Sequence, residues 1–232
     1  MTKSPDYFIS LLKDFPQLPN VFNPWRDIDP ENDLGPEAPV IRREQLKAYL
    51  SERIGKASYI LMGEALGYQG GHFSGIAMTS ERILLGHQKN KGIEPEHVFN
   101  SVSPRRTSRP SVRPHGFTEP TATVAWGSLL NMGLDPRAFV IWNSFACHPF
   151  DSAKGLLSNR KPLEEELDAG EPVLRQFLSL FPDSLIIAVG NVAGERLETL
   201  GIDFIKVRHP ANGGVGKFRQ QLGEILDRRK PL

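Results

Sequence analysis

The sequence predicts an α/β fold, a three-layer α/β/α sandwich around a central, mostly parallel four-stranded sheet. Three observations carry that prediction. Four short runs of β-branched and aromatic residues, 58–63, 138–145 (AFVIWNSF), 184–190 (SLIIAVG) and 203–208 (DFIKVR), each end in polar or glycine residues, as buried parallel strands do. Helical patterns lie between them, the alternation that builds a parallel sheet covered on both faces by right-handed crossovers. The first run breaks at Gly63-Glu64-Ala65-Leu66-Gly67, which stands an acid at a strand exit, where open α/β sheets hold their ligands.

The elements follow in order. Residues 1–15 predict a helix, with Phe8, Leu11, Leu12 and Phe15 on one face. Residues 16–40, rich in proline, aspartate and asparagine, predict an ordered loop around Phe22 and Trp25. Leu46, Tyr49, Leu50 and Ile54 stripe a helix over 42–54, with Gly55 as its C-terminal cap. Further helices are expected over 78–90, 121–133, 162–181, 191–200 and 214–229. Residues 1–232 read as one domain, with 1–55 as a helical and loop extension packed on it.

Composition narrows the classes of function. The chain has 232 residues, 39% hydrophobic and 24% charged, with a net charge of +1, ordinary values for a globular protein. No apolar run approaches the ~20 residues that cross a bilayer. The N-terminal stretch MTKSPDYFISLLKDF carries acids among its apolar residues and no small-residue cleavage site, so a cytoplasmic location is expected. A lone cysteine, Cys147, excludes an internal disulfide and any four-thiolate site, and the six histidines show no H-x-x-x-H spacing. A protein without metal or cofactor is expected. No G-x-G-x-x-G follows a strand, and GGVGK at 213–217 has the wrong spacing for a phosphate loop.

One segment departs from the average. Residues 101–115, SVSPRRTSRPSVRPH, carry Arg105, Arg106, Arg109 and Arg113 with no acid, and prolines hold the chain extended. Such a segment is not expected to enter the core. It reads either as a solvated loop or as a loop whose Arg105, Arg106 and Arg109 contact nucleic-acid phosphates.

Chemistry-bearing residues collect at the four predicted strand exits. The first offers Glu64 and, on the glycine loop behind it, Phe73; the second Asn143, then Cys147 and His148; the third Asn191; the fourth His209. Each has a plain structural reading by itself. Glu64 could cap a turn, Phe73 could fill the core, Asn143 could tie two loops together, and His209 could be a satisfied structural histidine.

As a set they resemble the uracil-DNA glycosylase superfamily. G-E-A-L-G at 63–67 is similar to the G-E-A-P-G of its iron–sulfur-bearing branch, and G-G-H-F-S-G at 70–75 resembles the loop that presents a uracil-stacking phenylalanine. Asn143 takes the place of the uracil-reading asparagine, N-R-K-P-L-E-E-E-L at 159–167 is similar to the start of the helix that follows, I-I-A-V-G-N-V-A at 186–193 looks like the third strand and its helix start, and H-P-A at 209–211 resembles the H-P-S motif. The likeness runs from about residue 58 to 225. It implies Glu64 and His209 as catalytic residues, with Gly63, Ala65, Gly67, Phe73 and Asn143 around the base and Asn212, Gly213 and Val215 against DNA. His148-Pro149 is a second His-Pro pair, and the resemblance gives the role to His209, which follows the last strand.

The implied activity is excision of uracil from single- or double-stranded DNA by a monofunctional monomer, leaving an abasic site. Its rivals are a broader glycosylase for deaminated or mismatched bases and a non-catalytic protein that binds uracil or abasic DNA. The residue types suit the first reading. Breaking an N-glycosidic bond builds positive charge on the sugar, which a carboxylate such as Glu64 stabilises. The leaving base gains negative charge, which a donor such as His209 stabilises. An asparagine amide offers both a donor and an acceptor to a flipped-out base, and an aromatic plate can receive that base.

Overall fold

The apolar runs form strands that pair in parallel. A computed structural model describes residues 4–228. In chain order the elements are α1 (Pro5–Lys13), β1 (Val21–Phe22), α2 (Ala38–Ser51), β2 (Tyr59–Ala65), the one-turn helices α3 (Gly71–Ser74), α4 (Glu81–Leu84) and α5 (Pro95–Val98), α6 (Pro120–Asn131), β3 (Phe139–Phe145), β4 (His148–Pro149), α7 (Glu164–Leu180), β5 (Leu185–Val189), α8 (Asn191–Thr199), β6 (Ile205–Val207) and α9 (Val215–Asp227). The central sheet has the order β3-β2-β5-β6 and every pair in it is parallel. This is the α/β fold that the sequence predicts, and it brings all four strand exits to one edge. A separate antiparallel pair, β1 with β4, joins Phe22 to His148.

Strand β3 lies at the edge of the sheet, and α2 closes that edge. An open edge leaves backbone groups without partners. Here the Tyr49 hydroxyl accepts from the Ile141 N–H at 2.7 Å, and Arg53 Nε donates to the Phe139 carbonyl at 2.9 Å. The remaining Arg53 donors reach the carbonyls of Tyr49, Val98, His97 and Pro136 at 2.7–3.0 Å. All five guanidinium N–H groups are thereby used. Burial pulls Arg53 down to about 10, so it still carries its charge at neutral pH. Around β3 the aromatic rings interlock: Trp142 stacks on Phe177 with centroids 4.8 Å apart, meets Phe8 edge-on at 5.2 Å, and lies 5.8 Å from Trp25. These contacts hold α1 and the following loop onto β3 and α7.

Several expectations are corrected. The helix expected over 78–90 is only the four-residue α4, because Met78 turns with φ +41° and Gly86 with φ +76°, breaking the chain on both sides. Helix α2 begins at Ala38 rather than 42, since Pro39 suits a first helical turn. Gly55 does adopt φ +76°, but four residues beyond α2, in a turn closed by the Ala57 N–H on the Arg53 carbonyl at 2.9 Å. The expected helices that reach residues 1–3 and 229 extend outside the described residues.

The arginine-rich segment enters the interior after all. Thr107 and Ser108 are fully buried, because the Glu81 carboxylate accepts both of their backbone N–H groups, at 2.7 and 2.9 Å, and also the Ser108 hydroxyl. A partner acid lies elsewhere in the chain, which a local count of charges does not see.

Arg53→Lys should lower the stability of the protein by about 3 kcal/mol or more, because each buried carbonyl left without a partner costs roughly 1–3 kcal/mol. Urea unfolding followed by circular dichroism measures this. A change within 0.5 kcal/mol, the ordinary range of about ±0.5 kcal/mol for surface substitutions, would show that the edge of β3 does not depend on this side chain.

Candidate active site

The parallel register decides which side chains meet at the sheet edge. Gly63 of β2 stands opposite Asn143 of β3, and the Ser144 hydroxyl donates to the Glu64 carbonyl at 2.8 Å. A side chain at 63 would not fit, since a Cβ there would sit 2.5 Å from Asn143 Oδ1. Beyond this pair opens a cavity of about 350 Å³, lined by Gly63, Glu64, Ala65 and Leu66 of the first exit, Asn143 of the second, and His209 of the fourth, with Met78, Glu119, Asn159 and Lys161 around them.

The polar groups of this cavity are unusually free. Asn143 is only 2% exposed, yet neither its Oδ1 nor its Nδ2 has a hydrogen-bond partner among the described residues. Buried amides are almost always paired, so an orphaned one asks for a ligand. Burial raises the Glu64 carboxyl above its ordinary value; Lys161 opposes this and Glu195 adds to it. Burial lowers His209, with Arg208 acting in the same sense. The His209 Nδ1 accepts from the Ala211 N–H at 3.1 Å, which places the proton of the neutral ring on Nε2. Gly190, at φ +87°, and Gly214 both lie against the His209 residue where a side chain would intrude.

A buried chain of rings supports one wall. His148 Nε2 donates to the Ser158 carbonyl at 2.7 Å, which leaves Nδ1 to accept from His72 Nδ1 at 2.9 Å. His72 Nε2 then faces Asp29 Oδ2 at 3.1 Å, so one proton must lie between them. Burial works to raise Asp29, but hydrogen bonds from His72 and Asn32 outweigh it and hold the carboxyl below its usual range, while burial pulls the His72 ring down to about 3, so the two groups compete for that proton. The chain links the Gly70–Ser74 loop to residue 158, and next to it Asn159 Oδ1 accepts the Tyr68 N–H at 3.0 Å. His148 is thus committed to structure, whereas His209 faces the cavity.

Other expected site residues are placed elsewhere. Phe73 is fully buried in α3, stacked on Phe117 at 4.0 Å, and does not line the cavity; Leu66 and Met78 supply its apolar wall instead. Gly67 lies in the wall with Asn159 against it. Val215 lines an adjoining cavity of about 320 Å³ with Glu119, Asn159, Pro210 and Ala211, while Asn212 (φ +52°) and Gly213 (φ +74°) form the exposed turn beside it. The arginines lie apart from all of this. Arg105 pairs with Glu44, Arg106 donates to the carbonyls of Arg113 and Pro114, and Arg109 donates to those of Asp33 and Pro30.

Sequence reasoning missed two features. Glu119 and Lys161 both reach the cavity, although neither stands at a strand exit, and Lys161 lies inside the N-R-K-P motif itself. Next to His209, a groove of about 420 Å³ carries exposed Lys206, Arg208 and Lys217 and no acid, with Asn191 also in its lining. Those three cations are scattered in sequence and meet only through β6 and α9. Among the described residues, no group of three or more His, Cys, Asp or Glu side chains is placed to hold a metal ion. None of the described helices is long and apolar enough to cross a membrane.

The family model described as the uracil DNA glycosylase superfamily matches residues 56–226. No curated protein sequence matches the chain. Among solved structures, the fold is similar to that of wild-type SMUG2 from Pedobacter heparinus, with a TM-score of 0.59 and 12% identity over 97% of each chain, a likeness of fold alone.

Burial of the His148 ring, only partly offset by its bond to Ser158, pulls it down to about 4. The unfolded chain takes up this proton near pH 6.5, so stability should fall as pH drops from 6.5 to 4, by about 3 kcal/mol from this ring alone at 1.36 kcal/mol per unit. NMR titration of the His148 ring should show its midpoint near 4. A midpoint at 6 or above would overturn the proton arrangement given for the chain of rings.

Proposed function

The chain belongs to the uracil DNA glycosylase superfamily, and on that premise we propose that it hydrolyses the N-glycosidic bond of uracil in DNA and leaves an abasic site. The observation that carries the reading is the Asn143 amide, buried and without partners at the back of the cavity. Uracil presents a carbonyl acceptor at O4 and a donor at N3–H, which an amide can meet with Nδ2 and Oδ1. Cytosine offers the reverse pattern. An unpaired buried amide costs roughly 1–3 kcal/mol, which a matching base edge recovers and a mismatched one does not.

The catalytic roles follow from the sides of the cavity. Glu64, on the β2 exit, stabilises the positive charge that grows on the sugar as the bond breaks, or orients the attacking water. Burial raises its pKa, and Lys161 favours the anion that this role requires. His209 donates from Nε2 to the departing base. A neutral imidazole is the suitable donor, since burial already disfavours its cation. The water adds to the sugar carbon and the base leaves as an anion that takes up a proton.

We give the DNA backbone a different path from the one the sequence suggests. Arginines 105, 106 and 109 are occupied by Glu44 and by backbone carbonyls. Lys206, Arg208 and Lys217 form no ion pair among the described residues and flank His209 directly. We assign the phosphate contacts to this groove, with the Asn212–Gly213 turn and Val215 beside it.

Incubation with uracil-containing single- and double-stranded oligonucleotides tests the activity. Asn143→Ala should reduce single-turnover excision about 10²-fold or more, and Glu64→Gln and His209→Ala should each lower it by ~10²–10³ with little change in DNA affinity. Retained binding with no cleavage by the wild-type protein would favour the non-catalytic reading. Treatment with borohydride should trap no protein–DNA adduct, and an adduct lost in Lys161→Ala would make the enzyme a lyase as well.

The phosphate path is tested by salt titration of DNA affinity. The Lys206→Ala/Lys217→Ala double variant should reduce the log–log slope by up to about two. Arg105→Ala/Arg106→Ala should leave it nearly unchanged. The opposite ranking would return the contacts to the arginine loop.

A further inference from the structure

Beyond Glu64, the cleft holds a second carboxyl, that of Glu119. This residue occupies the N-cap position of α6, with extended backbone (φ −109°, ψ 114°). A side chain there ordinarily accepts an N–H of the first turn. Glu119 makes no such bond. Its Oε2 is sealed from solvent and has no partner among the described residues. The space it occupies exists only because residue 70 is glycine, since a Cβ on Gly70 would collide with that oxygen. Two separate features of the sequence, an unused cap and a cleared glycine, therefore hold one carboxyl in the cleft.

Its position joins the two halves of the site. Glu119 lines the cavity of Asn143, Glu64 and His209, and also the adjoining one formed with Pro210, Ala211 and Val215. The titratable and charged groups that share these walls are Glu64, Arg160, Lys161 and His209. Arg160 is already bound to both oxygens of Glu166, at 2.6 and 2.8 Å. Burial pushes Glu119 up to about 7, with no neighbouring charge contributing. The N-terminal dipole of α6 works in the opposite sense. An anion here would repel a phosphate backbone, whereas a neutral acid carries a proton to donate.

Resting on the reading of this cleft as the seat of a uracil nucleotide in DNA, we propose that Glu119 is a further functional residue, a neutral carboxyl that donates its O–H to an acceptor oxygen of the bound nucleotide. Ionisation above neutral pH removes the donor and sets a negative charge against the DNA. Burial moves His209 toward the acid side, and the ratio of E119Q to wild type isolates the limb that belongs to Glu119.

Glu119→Gln keeps a neutral donor that cannot ionise. Single-turnover excision of uracil from an oligonucleotide is measured for wild type, E119Q and E119A from pH 6 to 9. The ratio of E119Q to wild-type rate should rise by about tenfold or more between pH 6.5 and 8.5, as the neutral acid is lost by tenfold per unit above its pKa. E119A should be slower than wild type at pH 6.5. A loss in kcat places the acceptor oxygen on the base or sugar, and a loss in DNA affinity places it on a phosphate. Thermal melting gives a readout without substrate: E119Q should gain in Tm over wild type at pH 8 and not at pH 5. A flat rate ratio, an E119A variant at the wild-type rate, or an equal Tm change at both pH values overturns the proposal. If those outcomes arise while the wild-type protein excises uracil, Glu119 alone is misassigned. A wild-type protein inactive on uracil fells the glycosylase reading and this role together.

Discussion

The register between β2 and β3 is the constraint on which the site depends. Parallel pairing sets Gly63 opposite Asn143, and the missing side chain at 63 is what admits the amide. Everything at the sheet edge is positioned from there. The next residue of β2 is Glu64, whose carbonyl is held by Ser144, so the acid stands one step from the proposed base-reading amide. A slip of one residue would turn Asn143 to the other face of the sheet and bring Trp142 or Ser144 in its place. The stacking of Trp142 on Phe177 opposes such a slip, as does the closure of the β3 edge by Tyr49 and Arg53.

Most buried polar groups of the fold are satisfied, and those left without a partner include a few atoms outside the cleft, such as Ser80 Oγ and Trp142 Nε1. Arg53 uses five donors, Glu81 accepts from the loop that crosses it, and the Asp29–His72–His148 chain runs without a break to Ser158. Among the orphaned atoms, both ends of the Asn143 amide and the Glu119 Oε2 stand apart because they line one cavity. Each costs stability in the free protein. Natural proteins tolerate such local conflicts where function requires them, with stability recovered elsewhere. Orphaned groups that lie together in one cavity therefore say more than their separate costs.

The sheet was legible because buried parallel strands are continuous apolar runs and need no knowledge of their neighbours. Asn143, Glu64 and His209 could be nominated because each stands at the end of such a run. What long-range contacts decide was not legible. Residues 78–90 have helical composition, yet Met78 and Gly86 turn the chain on either side of α4. Phe73 by itself reads as core more readily than as plate, the resemblance gives it the plate, and Phe117, distant in sequence, stacks it in the interior. Thr107 and Ser108 looked solvated because Glu81, their partner, lies far along the chain. Glu119 gave no local signal, since its meaning comes from an empty space at Gly70.

Charge shows the same dependence on placement. A net charge of +1 says little about a polyanionic partner, and the densest run of arginines is the natural place to look for its contacts. In the folded chain those guanidinium groups have been drawn into holding loops together, since an arginine beside free carbonyls satisfies them with a charge-assisted bond. The cations left for a ligand are those whose surroundings supply no acid and few open carbonyls. Lys206, Arg208 and Lys217 meet that condition beside His209, brought together by the last strand and the last helix. With these cations outside, positive charge gathers at the rim, while the cleft itself holds Glu64, Lys161 and the Glu119 carboxyl of raised pKa. That arrangement suits the proposed ligand, whose phosphates stay in water while an uncharged base is carried inward.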